Sequence, residues 1–229
     1  MVAQESLLAT HQEYAALIAA YSRNLTVLPR YIHASWWGGL AKLAGLGYQG
    51  EGLKCTRALF ALADIKLPRL HDFQGLSGKL GALASPQALQ CFRLRALAFR
   101  RSELRHSIDR KSRALLRTWL DAAELDQLMA LPGSPQTGLL ERSFEMKPFA
   151  ALQQAELEWE GLCLFGRDRI WVPTGPFAWL KMHFPREQAP LPWVMATRKQ
   201  DGGIDARFDP NGSEAVLAML PDLNGGELC

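Results

Sequence analysis

Residues 85–120 read SPQALQCFRLRALAFRRSELRHSIDRKSRALLRTWL, and this stretch decides the fold. Ser85-Pro86 is a helix start: the serine supplies a cap oxygen, and the proline stands where its missing N–H does no harm. The spacing predicts a helix over 86–107. At about 100° per residue, Leu89, Phe92, Ala96, Leu97, Phe99, Leu104 and Ile108 share one broad face. Asp109 offers the cap of a second helix reaching Leu120. Asp121-x-x-Glu124 reads as a capping-box variant that opens a third helix to Leu131, and Pro132, Gly133 and Pro135 end it.

Working outward, the same helical period recurs on both sides. Towards the N-terminus, Leu7, Leu8, Tyr14, Leu17, Ile18, Tyr21 and Leu25 fall mostly at three- and four-residue steps, which predicts an amphipathic helix over 5–28 stopped by Pro29. An aromatic cluster of Tyr31, Trp36 and Trp37 follows, of which the Trp36-Trp37 pair is expected in the core, with Ser35 capping a short helix to Leu43. A glycine-rich loop over 45–52 precedes a helix over 53–65 closed by Pro68, and 70–83 holds a short helix between loops. Towards the C-terminus, 149–165 is again helical in period. From Gly166 the character changes: seven of the thirteen prolines lie there, 170–172 and 177–184 are candidate short strands, and 213–220 is a candidate helix. The expectation is a mainly α protein: a single multi-helix globular domain over 1–165, with a Pro-rich extension over 166–229 packed on it and not independent.

Nearly half the residues are apolar and about a fifth are charged. That balance belongs to a chain with a sizeable core rather than a disordered one. No basic and apolar leader stands at the N-terminus, and no apolar run approaches the length of a membrane span. A soluble cytoplasmic protein is therefore expected. Cys55, Cys91, Cys163 and Cys229 are too scattered for a disulfide framework or a zinc site and read as free thiols.

The net charge of +3 hides a strong local bias. Residues 93–117 hold Arg93, Arg95, Arg100, Arg101, Arg105, Arg110, Lys111, Arg113 and Arg117 against only Glu103 and Asp109. The wheel divides the set. Arg93 and Arg100 fall inside the apolar face, where a guanidinium needs a carboxylate; Glu156 and Glu160, on the helix carrying Leu152, Trp159 and Leu162, are the candidate partners. Arg101, Arg105, Arg110 and Arg113 point outward, which fits a solvated face, an acidic protein patch or nucleic acid.

Other motifs carry little chemistry. Gly45, Gly47 and Gly50 match a dinucleotide-loop spacing, but no strand precedes them and Gly52 delays the next helix. The histidines His11, His33, His71, His106 and His183 show no metal-ligand spacing. Glu156, Glu158 and Glu160 read as packing or solvation rather than an acid–base pair. No catalytic, metal or cofactor site is expected.

The segment over 94–109, LRALAFRRSELRHSID, resembles the "LRAL-x-FRR-x-E-x-R-x-x-ID" stretch of the SctK/YscK proteins of bacterial type III secretion systems, in their Hrp-type branch. The runs LPRYIHASW (28–36) and LEWEGLCLF (157–165) resemble the same branch. The resemblance implies a mainly helical, non-enzymatic adaptor in the cytoplasmic sorting platform of the injectisome. Such an adaptor links the inner-membrane ring protein SctD to the pod protein SctQ, which connects through SctL to the ATPase. It implies no catalytic residues and does not extend to the Pro-rich region. The alternatives are a nucleic-acid-binding or regulatory protein acting through the hairpin over 93–117, and a small enzyme using the glycine loop.

Overall fold

The structure, a computed structural model, describes residues 2–38, 51–106, 110–131, 136–144, 146–198 and 203–220. Among them the chain is helical throughout. Eleven α-helices follow one another: α1 (Val2–Val27), α2 (Gly52–Leu62), α3 (Gly75–Ala82), α4 (Ser85–Phe99), α5 (Arg101–His106), α6 (Arg110–Trp119), α7 (Ala122–Ala130), α8 (Thr137–Phe144), α9 (Gln154–Arg167), α10 (Pro192–Ala196) and α11 (Gly212–Met219). The strands expected at 170–172 and 177–184 do not form. Ala178–His183 is instead a 3-10 helix, and the extended pairing among the described residues is a lone antiparallel bridge between Arg198 and Ile204. Neither segment contains a proline, but Pro173, Pro176 and Pro185 bound them directly, which leaves each only a short run in which a ladder could form. No described helix is long and apolar enough to cross a membrane.

The described residues form two compact units, one from those within 2–88 and 171–188, the other from those within 89–170 and 189–220. In the first, α1 buries Leu17, Tyr21 and Leu25 at helical spacing, and Leu28 in the 3-10 turn that follows continues the row. Two polar side chains lock its neighbours. Asn24 Nδ2 donates to the Ala82 and Leu83 carbonyls (2.9 and 2.7 Å), covering the end of α3 where helix carbonyls lack internal partners. Thr56 Oγ1 donates to Leu25 O at 2.7 Å. Gly52 lets α2 lie directly on α1: a Cβ there would come within 1.8 Å of Thr26 O. Gly52 therefore serves helix contact, while Gly45, Gly47 and Gly50 lie outside the described residues.

The Pro-rich segment over 171–188 is part of this unit. Tyr21, Phe73 and Phe177 meet edge to face at 5.5–6.1 Å, the preferred aromatic geometry. Trp36 Nε1 donates to Phe184 O at 2.8 Å and the Arg186 guanidinium lies over the Trp36 ring. His33 N–H donates to Met182 O and Arg186 N–H to Ser35 Oγ. Trp37 is buried, as expected of the aromatic cluster. The short helix expected from Ser35 is a 3-10 turn over Ala34–Trp36, capped by His33 rather than Ser35; residues 39–43 lie outside the described set.

In the second unit α4 and α9 are buried on nearly every side. Cys91, Phe92, Leu94, Ala96, Leu97 and Phe99 on α4 are all in the core, as is every residue from Leu157 to Phe165 on α9. The two helices approach at Gly161, where a Cβ would meet Phe92 O at 1.8 Å. The capping box of Asp121 and Glu124 opens α7, with Glu124 N–H donating to Asp121 Oδ1 and Asp121 N–H to Glu124 Oε2 (2.8 and 2.9 Å).

Two expectations about α4 are corrected. Ser85 is not the cap. The helix begins at Ser85 itself, Ala84 precedes it with its N–H held by Gln87 Oε1 at 3.1 Å, and Ser85 Oγ is buried without a hydrogen-bond partner. The helix expected over 86–107 is also interrupted at Arg100, although Arg100 N–H still reaches Ala96 O and Leu104 N–H reaches Arg100 O. The interruption coincides with a guanidinium held by three groups.

Candidate functional site

Half of the arginines in 93–117 are structural. Arg100 on α4 grips Glu160 of α9 with both arms, Nε to Oε1 at 2.7 Å and Nη2 to Oε2 at 2.9 Å. Its Nη1 also donates to Glu103 Oε2 (2.9 Å) and to Lys147 O (3.0 Å). Burial acts to lower the Arg100 pKa, and Glu160 with Glu103 more than reverse it. For Glu160 burial is the larger influence and pushes its carboxyl up against the pull of Arg100. The fork geometry favours the ionised pair, because each guanidinium arm then meets its own carboxylate oxygen. Arg93 bonds Glu158 Oε1 at 2.6 Å, an oxygen shared with Gln154. Glu156 is turned the other way: it accepts from Lys147 Nζ at 2.7 and 2.8 Å, which lowers its pKa, and caps α9 through Gln153 N–H. Of the four residues expected to form ion pairs, Arg100 and Glu160 come together. Arg93 takes the neighbouring Glu158, and Glu156 meets neither arginine.

A second buried network escapes the helical wheel. Arg95 is fully buried and binds Asp168 Oδ2 (3.0 Å), Asp209 Oδ2 (3.0 Å) and Ser213 Oγ (2.8 Å). Ser213 in turn donates to Asp168. Arg167, also buried, bonds Asp168 Oδ1 (2.6 Å) and the Phe208 and Asp209 carbonyls (2.7 and 2.8 Å). Together they fasten the start of α11 to α4 and the end of α9. Gly212 leaves room for this, since a Cβ there would press on Asp209 Oδ2 and Arg95 Nη1. The available signal was that Arg95 lies two residues from Arg93 on a helix with no exposed side; the distant Asp209 and Ser213 carry none.

The outward arginines sort differently from expectation. Arg101 is buried, at 2% exposure, which corrects its placement on the solvent face. The wheel assumed a solvent face opposite the apolar one, whereas every residue from Leu94 to Arg101 is buried; Leu104 and Arg105 keep their expected sides, buried and exposed. Arg105 is exposed and reaches Met129 O at 3.3 Å. Arg110, Arg113 and Arg117 are exposed on α6 and have no ion pair among the described residues. They recur at i, i+3 and i+7, within about 60° of one another, opposite a buried face of Ser112, Leu116 and Trp119. Ser107, Ile108, Asp109 and the Lys111 side chain lie outside the described residues.

Cys55, Cys91 and Cys163 are buried and in no disulfide, and burial pushes the Cys91 thiol up, away from a reactive thiolate. No group of three or more metal-ligating side chains occurs among the described residues. What this unit presents is an ordered basic stripe on a rigid helix, a geometry suited to binding anionic groups.

Compared with protein-family models, the chain matches the bacterial type III secretion protein family HrpB4 over residues 8–224. The chain belongs to this family. The match spans the Pro-rich region, which the sequence resemblance did not reach, and it agrees with a Hrp-type, SctK-like member. Comparisons with curated proteins and with solved structures gave no match. A HrpB4 protein is a component of a type III secretion system and not of a known enzyme family.

Proposed function

We propose that the protein is a non-enzymatic structural adaptor of the type III secretion injectisome. It works on the cytoplasmic side, held at the inner-membrane base through protein contacts. It links the cytoplasmic domain of the ring protein SctD to the pod protein SctQ, indirectly to SctL and the ATPase, and is needed for effector export. The observation that carries this is the family match over nearly the whole chain, read with the resemblance of 94–109 to the SctK branch. No cofactor is required.

The partner-facing residues we assign are Arg105, Arg110 and Arg113, joined by Arg117. Arg101 leaves the set because it is buried. The other arginines of the hairpin already meet internal partners, so these four carry the charge that remains to meet an acidic patch by bidentate pairing. The Pro-rich region acts within this scaffold rather than as a separate module, since 171–188 and 189–220 belong to different units.

Titration of the full chain against purified SctD cytoplasmic domain and SctQ of the same system tests the proposal. Specific binding to either, lost with Arg105→Glu, Arg110→Glu and Arg113→Glu together, supports it. Binding to neither, with steeply salt-dependent and sequence-tolerant binding to duplex DNA, contradicts it in favour of nucleic acid.

A further inference from the structure

A linker needs a second surface, and the first unit carries one that the basic stripe does not explain. Between the end of α2 and the 3-10 turn at Leu70–Phe73, the chain runs Leu62-Ala-Asp-Ile-Lys-Leu-Pro-Arg-Leu70. Leu62, Leu67 and Leu70 are 63%, 54% and 66% exposed. Scattered exposed leucines need no explanation, but three within nine residues do, one at the end of α2, one in the loop and one at the start of the 3-10 turn.

The loop is shaped rather than slack. Asp64 holds a left-handed backbone (φ 51°). Ala63 N–H and Ile65 N–H turn back onto Leu59 O and Phe60 O (2.9 and 2.8 Å), and Arg69 N–H is held by Asp72 Oδ2 at 2.6 Å. Phe60 and Phe73, both in the core, anchor its two ends. The leucines are thus held outward by a preorganised backbone, which lowers the ordering cost of docking. Lys66 and Arg69 stand between them and Arg57 precedes them on α2, all three exposed and without an ion pair among the described residues, while the one exposed acid over 62–70 is Asp64.

We infer that the loop over 62–70 is a protein-docking edge, and that its occupant is an apolar groove rimmed by carboxylates on one of the two platform partners. Three leucines are a weak anchor for a bilayer, where stable attachment takes more than one strong signal, whereas a few preshaped apolar anchors with flanking charge suffice for a protein hot spot. The inference rests on the adaptor reading.

The test uses the full chain carrying Leu62→Ser, Leu67→Ser and Leu70→Ser, titrated against purified SctD cytoplasmic domain and SctQ, with circular dichroism as the fold control. The expected result is a loss of about tenfold or more for one partner and a change within about twofold for the other. A second variant, Arg57→Glu, Lys66→Glu and Arg69→Glu, weakens the same partner and serves alone if the first does not fold. Unchanged affinity for both partners overturns the inference and leaves the adaptor reading standing. So does a wild-type dimer that the leucine variant abolishes, or wild-type binding to anionic phospholipid vesicles that it abolishes, since the occupant is then another copy or a membrane. Wild-type binding to neither partner fails the adaptor reading, and this inference with it.

Discussion

The unit built on residues 1–88 and 171–188 closes on aromatic edges, with Tyr21, Phe73 and Phe177 in mutual contact. The unit built on 89–170 and 189–220 closes on guanidinium–carboxylate pairs, with Arg93, Arg95, Arg100 and Arg167 meeting Glu158, Asp168, Asp209 and Glu160. The difference teaches how to read a basic stretch. The residues over 93–117 look like a cationic surface when counted. Arg95, Arg100 and Arg101 are nevertheless buried and Arg93 is half-buried, so the surface charge is far smaller than the composition suggests. A buried ion pair adds little net stability over an apolar pair, but breaking one by removing a partner is expensive. The second unit should therefore be sensitive to changes that the first would not register.

The sharpest break is Glu160→Ala. It removes the two-armed partner of Arg100, leaving only Glu103 and the Lys147 carbonyl on Nη1, and should cost about 3 kcal/mol, read as a fall in the urea midpoint. Arg100→Met combined with Glu160→Leu should recover much of that loss, and failure to recover would mean that the pair does more than satisfy itself.

Next comes acid. In the first unit His183 is half-buried beside Trp179, its Nδ1 on Leu180 O, and desolvation lowers its pKa to about 4. The unfolded chain protonates near the usual value of about 6.5, so it binds the extra proton while the folded chain stays neutral. Stability from this group is intact above pH 6.5 and falls as the pH drops towards 4, by about 3 kcal/mol in all. Urea melts across this window should show the slope, and His183→Phe should flatten it.

Gly52→Ala tests the close approach of α1 and α2 and should cost about 1–3 kcal/mol. It sharpens the comparison because it strains the first unit without touching a charge, so its cost should not depend on salt. The smallest effect on stability is expected from Arg110→Glu, Arg113→Glu and Arg117→Glu together, within about 0.5 kcal/mol in a thermal melt. A large loss there would mean that the stripe is structural as well.

Much of this was legible. Apolar spacing gave α1, α2, α9 and α11 to within a few residues, and Asp121 with Glu124 announced α7, because period and capping are local. The helices α8 and α10 were missed: Thr137–Phe144 is only eight residues long, too short for its period to stand out, and Pro192–Ala196 is five residues starting at a proline. Strands were expected in the short apolar runs 170–172 and 177–184, yet the second is a 3-10 helix over Ala178–His183, with Met182 O and Phe184 O accepting from His33 N–H and Trp36 Nε1. At the candidate site the wheel found Arg100 and Glu160, but it picked the wrong acid for Arg93 and put Arg101 outside. Asp209 and Ser213 lie more than a hundred residues from Arg95, a distance at which the spacing rules carry no information.

The most direct test of the central claim is size-exclusion chromatography of the wild-type chain mixed with the SctD cytoplasmic domain and SctQ, with mass read by light scattering. The account predicts a single complex containing all three proteins, which SctD and SctQ do not form without the adaptor. A chain that binds neither, or whose two partners displace each other, would contradict it.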